Sequence, residues 1–403
     1  MSFDFTTIMD RHGYDALAVD ALGQPGFPGA PDPTFDPIPM WVADINFPTA
    51  PSITDAIIAR AQHPAFGYFQ PRKAYYDGII WWQQQQNAVE GLNKEHIMYA
   101  NGVLGGIIGA LGALCSRGDR VLLHSPTYIG FTHSLEDNGY QIVHSPLQWD
   151  GQGIWRMDFA DMEQKLRDQK IHVAILCSPH NPTGRVWERW ELEQAMALFE
   201  KYHVYVISDE IWSDLLLAQH RHTPTQSVSD YAKTHTAAFY APSKTFNLAG
   251  LIGSYAVVYD PWLRHRMESE YTQTHFNSMN VLSMHALMGA YTLEGAAWLT
   301  ELNQVLTQNV DFACDYILRH FPGLQISKPQ GTYMLFVDCA GWCDRTGQTM
   351  DELIAACHRV GVHLQDGRPF HGPTHLRINL ALPHARVQEA FARLDRYVFN
   401  AAK

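Results

Sequence analysis

An α/β fold with a large domain on a mixed, mostly parallel sheet and a small α+β domain is what this sequence predicts, and three observations lead there. The 403 residues exceed what one small core organises. Between residues 97 and 259, short apolar β-branched runs alternate with helical patterns, as in a sheet covered on both faces. From residue 331 onward, strand, helix and strand follow without strict alternation, which fits an α+β unit. The expected division is residues 1–44 as an N-terminal arm and part of the small domain, 45–285 as the large domain, and 286–403 as the small C-terminal domain.

Composition narrows the function classes. With 46% hydrophobic and 17% charged residues, the chain can bury a sizeable core. Its formal charge of -12 disfavours nucleic acid and anionic membranes as partners. Six scattered cysteines, without CxxC pairs, and an N-terminus without a basic-then-apolar signal predict reduced thiols in a cytoplasm. The longest weakly polar run, residues 102–115, is shorter than the roughly 20 residues of a membrane-spanning helix.

Taken in order, residues 1 to about 40 are rich in Pro and Gly and predict a surface arm. Helical spacing appears at 53–62 and 75–88, separated by the turn Phe66-Gly67-Tyr68. A strand at 97–99 leads through Asn101-Gly102-Val103-Leu104-Gly105-Gly106 into a helix over 107–115. A helix start offers unpaired N–H groups to an anion, and glycine allows close approach, although such a start serves packing as often as binding. Strands follow at 120–124, 141–145, 172–177, 204–207, 236–240 and 254–259, with helices at 158–169 and 188–202. The 172–177 run is apolar throughout, as a strand buried on both faces should be. Beyond residue 280 the pattern turns helical, with a long spine over 296–320. A strand at 331–338, a helix at 350–360, an edge strand at 376–380 and a helix at 384–398 complete the chain.

The stretch Ala241-Pro242-Ser243-Lys244-Thr245-Phe246-Asn247 places a lysine between a strand and a small-residue turn, so its amine should project into a cleft. A desolvated lysine can shed its proton and condense with an aldehyde, though these seven residues alone also suit an ordinary loop. Two stretches add weight: Ser178-Pro179-His180-Asn181-Pro182-Thr183-Gly184 and Ser208-Asp209-Glu210-Ile211-Trp212. Both follow apolar strands, and their spacing to Lys244 resembles the pyridoxal-phosphate enzymes of the aspartate-aminotransferase fold, fold type I of the class I/II aminotransferase family. The run Pro39-Met40-Trp41-Val42-Ala43-Asp44-Ile45-Asn46-Phe47 resembles the signature of that family's carbon-sulfur lyase branch, the cystathionine beta-lyase-like enzymes.

The resemblance implies pyridoxal 5'-phosphate (PLP) as cofactor, bound by residues 45–285. It makes Lys244 the catalytic residue that carries PLP, Asp209 the partner of the pyridine nitrogen, Asn181 the donor to the ring oxygen, and Tyr128 the ring stacked on the pyridine face. Gly102, Val103, Leu104 and Ser243 would hold the phosphate. Tyr68 would reach the phosphate of a neighbouring subunit, which implies a homodimer. Trp212 stands in the cofactor site where the lyase branch usually carries His and general aminotransferases Tyr. Arg377 would clamp the α-carboxylate of an amino-acid substrate, with Trp41 beside it. Ile252 replaces an arginine, and Ala241 a serine, that many relatives use for phosphate, so backbone N–H groups, Ser243 and Tyr68 carry more of that task.

In the mechanism so implied, Arg377 anchors an amino acid that displaces Lys244, the freed lysine takes the α-proton, and Asp209 keeps the ring protonated. Loss of a thiol from the β-carbon gives pyruvate, ammonia and the thiol, whereas return of the proton to the cofactor gives transamination. The Trp41 run, the Asn181 turn through Gly184-Arg185-Val186-Trp187, and the Lys244 loop resemble the lyase branch more closely. The expected function is therefore β-elimination from L-cystathionine or a cysteine S-conjugate, with transamination as the alternative. A regulatory protein on this fold would be marked by loss of the lysine or the aspartate, and both are present. Residues 11–20 depart from the relatives' pattern, so a substrate side chain other than that of cystathionine stays open. Metal is not expected: His220 with His222, and His371 with His375, have usable spacings but no converging carboxylate or cysteine set.

Overall fold

The computed structural model describes residues 2–400. In chain order its strands are β1 (Ile38–Met40), β2 (Ile97–Ala100), β3 (Arg120–Ser125), β4 (Gln141–Pro146), β5 (Gln148–Trp149), β6 (Trp155–Arg156), β7 (Val173–Cys177), β8 (Tyr205–Asp209), β9 (Thr236–Tyr240), β10 (Ser254–Val257), β11 (Gln325–Ile326), β12 (Met334–Asp338), β13 (Val362–Asp366) and β14 (His375–Asn379). Seven form the large sheet in the order β2-β10-β9-β8-β7-β3-β4. β10 runs against both neighbours and the others share one direction.

Every residue of β7 and β9 is buried, and all of β8 except Tyr205, because helices cover both faces. One of these, Val103–Leu114, packs so tightly that a Cβ on Gly105 would lie 1.8 Å from the Phe276 ring, and one on Gly106 2.5 Å from Phe239. The helix starts four residues earlier than the apolar run suggests. Gly102, at φ +76°, precedes its first turn, so Gly105 and Gly106 lie within the helix and serve packing.

A second sheet has the order β1-β13-β14-β12-β11. Here the structure corrects the expected edge strand: β14 is interior, between β13 and β12, and its last four residues are buried. The missing neighbours were β13 and β1, the latter supplied by the Pro/Gly-rich arm. The strand expected over 331–338 begins at Met334; Gly331 forms an isolated antiparallel bridge with Leu216, and Thr332 and Tyr333 bend from it into the strand. The long spine is Leu293–His320, and the expected boundary at 285/286 falls inside the helix Val281–Ala290. The helices Ile129–Asp137 and Pro261–Thr274 were not anticipated.

The arm is anchored by its own contacts. Glu301 accepts from the backbone N–H groups of Ser2 (2.7 Å) and Phe3 (3.1 Å), and Phe5 is buried edge-on against Phe47. Among the described residues no helix is long and apolar enough to cross a membrane, and all six cysteines are free.

Candidate active site

The parallel strands of the large sheet end at one crevice, which is where an open α/β sheet binds ligands. Asp209 closes β8 and Cys177 closes β7, directly beside it in register. Asn181 stands four residues past β7, Lys244 four past β9, and Tyr128 three past β3. Together with Gly102, Val103, Leu104, Trp212 and Ser243 they line a cavity of about 300 Å³, a small-molecule size.

Lys244 is held from below and behind. Phe246 is fully buried between Trp82 (5.7 Å between ring centroids) and Trp298 (5.3 Å), while Thr245 donates to Asp214 (2.9 Å). Its Nζ donates to the Ala43 carbonyl at 2.9 Å and lies 5.8 Å from the Trp212 ring centroid. Burial, then the charge of Arg377, lowers its pKa to about 8 against the opposing pull of Asp44 and Asp209.

Asp209 is buried and accepts from the Ile211 N–H at 3.1 Å. Burial raises its carboxyl to about 7, a value that a cationic ring nitrogen beside it would bring down. The next residue, Glu210, fixes the strand end. It accepts from His222 (2.6 Å), Tyr240 (2.7 Å), Ser208 (2.9 Å) and the Thr225 N–H (3.0 Å). Burial alone would raise the Glu210 carboxyl, but His222 and these hydrogen bonds outweigh it and hold it below the ordinary value.

Arg377 lies one residue behind the cavity wall, on β14. Nη1 donates to Asn181 Oδ1 (3.3 Å) and Nη2 to the Trp41 carbonyl (3.0 Å), and the guanidinium sits 4.4 Å from the Phe370 centroid. Burial lowers its pKa to about 10, and its Nε–H has no partner among the described residues. Trp41 itself departs from expectation. Its indole is turned toward the arm, donating to the Ala18 carbonyl (3.0 Å) edge-on to Phe27, so only its backbone carbonyl reaches the site residues. Tyr68 is fully exposed on the loop after the helix Pro51–Ala61 and is not part of this protomer's cavity wall. Ile252, also in the wall, is 57% exposed at φ +44°, a strained backbone for a β-branched residue.

The family model for aminotransferase class I and II matches residues 40–394. The chain belongs to the class I and II aminotransferase family. The cystathionine beta-lyase PatB of Bacillus subtilis is 33% identical over 362 residues, covering 89% of this chain and 92% of that protein. Protein MalY of Escherichia coli is 28% identical over 404 residues, covering 97% and 98%. Among solved structures, the PLP-bound C-S lyase of Staphylococcus hominis aligns with a TM-score of 0.87 at 27% identity, covering 98% of each chain.

The crevice of this family member fits PLP by its donor set. It offers an amine for an aldehyde, a buried carboxylate for a ring nitrogen, an amide side chain for a ring oxygen, and the first-turn N–H groups after Gly102 for a phosphate. Two contributors escaped the sequence reading: the Ala43 carbonyl and Cys177. Both act through backbone or strand register.

Proposed function

We propose that this chain is a PLP-dependent carbon-sulfur β-lyase that cleaves L-cystathionine or a cysteine S-conjugate, with one water, to pyruvate, ammonia and a thiol. The observation that carries the reading is one crevice holding a buried lysine amine, a buried carboxylate and, behind it, a guanidinium without a counter-ion. The match to a cystathionine beta-lyase over 89% of the chain supports the choice of reaction.

Bound here, PLP supplies an electron sink for the pair left when the α-proton is removed. Lys244 Nζ would hold the cofactor through its aldehyde carbon and, when its amine is free, would take the α-proton. Its lowered pKa suits a base working near neutral pH. Asp209 would hold a proton at the ring nitrogen, and Asn181, whose Oδ1 accepts from Arg377, would donate through Nδ2 to the ring oxygen. Tyr128 would offer its ring to the cofactor's ring, Trp212 would add to the wall, and the N–H groups after Gly102, with Ser243, would hold the phosphate. Arg377 binds the α-carboxylate. Tyr68, exposed beside Phe66 and Phe69, completes the phosphate site of a second copy, so the working form is a homodimer. The free thiols agree with a reducing, cytoplasmic setting.

Transamination is the second reading, favoured by the family match. Incubation with L-cystathionine in the presence and absence of a 2-oxo acid separates the two. The lyase releases pyruvate and homocysteine without a 2-oxo acid; amino-group exchange as the only reaction would refute it.

A further inference from the structure

Two buried donors behind the cavity wall have no acceptor among the described residues: the Nε–H of Arg377, whose other end meets the wall residue Asn181, and the hydroxyl of Tyr333, whose ring meets the wall residue Trp212. The other end of Arg377 is committed to Asn181 and Trp41. No carboxylate is paired with it among the described residues; its charge meets only the two neutral oxygens and the face of the Phe370 ring. What these two donors share is the lack of an acceptor.

Tyr333 is fully buried and seated from three sides. Gly331 donates its N–H to the Gly184 carbonyl (3.0 Å), Thr332 to the Leu215 carbonyl (2.7 Å), and Leu380 to the Tyr333 carbonyl (2.9 Å). Gly184, Leu215 and Leu380 each lie three residues past a site residue, namely Asn181, Trp212 and Arg377. The Tyr333 ring meets Trp212 edge-on, with centroids 4.8 Å apart at 71°. Burial, with the charge of Asp44, pushes the phenol's ionisation well above its ordinary range, so it is present as an O–H donor.

We propose that the Tyr333 hydroxyl and the Arg377 Nε–H close on the same substrate carboxylate, making Tyr333 a specificity-determining residue for amino acids with a free α-carboxylate. The inference rests on the reading of Arg377 as the carboxylate clamp. A second donor beside the guanidinium sharpens the preference for the acid, because a hydrogen bond to a carboxylate is stronger than one to the neutral ester carbonyl.

The test uses the cofactor-loaded enzyme and two ligands without an amino group, 3-(methylthio)propanoate and its methyl ester, with binding followed by the change in cofactor absorbance. Tyr333→Phe should weaken the acid by about 10-fold while leaving the ester, the resting spectrum and the melting temperature unchanged. Unchanged affinity for the acid, or equal weakening of acid and ester, would overturn the proposal. Arg377→Lys separates this from the clamp reading. If that variant binds the acid like the parent, the clamp itself fails; if it loses the acid while Tyr333→Phe does not, only the role of Tyr333 fails.

Discussion

The Nζ of Lys244 and the carbonyl of Ala43 lie 2.9 Å apart, and this bond joins the loop after β9 to residues 41–46. Asn379, two residues past Arg377 on β14, holds the same segment through the carbonyls of Val42 (2.7 Å) and Asp44 (2.6 Å). Asn247 adds two bonds to Ile45, at 3.1 and 2.8 Å. One strap therefore sets Lys244 against the strand that carries Arg377.

Asn379→Ala removes both side-chain donors and should loosen that strap without touching the cofactor. We expect turnover to fall by about 10²-fold, the scale of a 1 Å misplacement, with PLP still bound. Full activity in the variant would show that the strap does not position the lysine.

The Asp209 carboxyl is raised from 3.8 to about 7 in the cofactor-free protein, chiefly by burial. A carboxyl raised on folding binds its proton more tightly in the folded chain, so its stabilising contribution is full below the lower value and is lost as pH rises through the upper one. Asp209→Asn stays neutral throughout. Without cofactor, the variant should melt with the parent at about pH 4 and above it at about pH 8. A constant difference across that range would contradict the assignment.

Trp41→Phe should separate packing from binding. It removes the indole bond to Ala18, which is worth about 1 kcal/mol of stability, and leaves the carbonyl that Arg377 uses. Urea unfolding should register the loss while KM stays at the parent value. A raised KM with unchanged stability would return the indole to the substrate.

How far the sequence reaches is visible in these residues. Strands buried on both faces, β7 and β9 above all, are legible because every position is apolar or small, and they locate Asn181 and Lys244. β13 is not legible, because Val362-His363-Leu364-Gln365-Asp366 follows a helix directly and mixes polar residues into a short run. Missing β13 and β1 turned β14 into an expected edge strand. Trp41 was misplaced for a related reason: a motif fixes where the chain passes, while the direction of its side chain depends on an arm far away in sequence. Tyr333 was hidden because a tyrosine in an apolar run reads as core until its unpaired hydroxyl is seen.

His222 and Glu210 form a buried pair beside Asp209. Removing one partner leaves the other charge uncompensated in the interior, so His222→Ala should cost about 3 kcal/mol in denaturant unfolding. It should also weaken PLP affinity through the strand end. A loss typical of an exposed pair, below about 1 kcal/mol, would show that the pair does not brace this strand.

The central claim is tested most directly by one spectrum and one coupled assay on the purified protein. The visible band of the lysine-linked cofactor is recorded for the parent and for Lys244→Ala, and L-cystathionine is then added with lactate dehydrogenase and NADH to report pyruvate. The account predicts the band in the parent alone, pyruvate without any 2-oxo acid, and a rate at least about 10³-fold lower in the variant. A parent that binds PLP through Lys244 yet forms no pyruvate from cystathionine or from S-alkyl cysteines would contradict the lyase assignment.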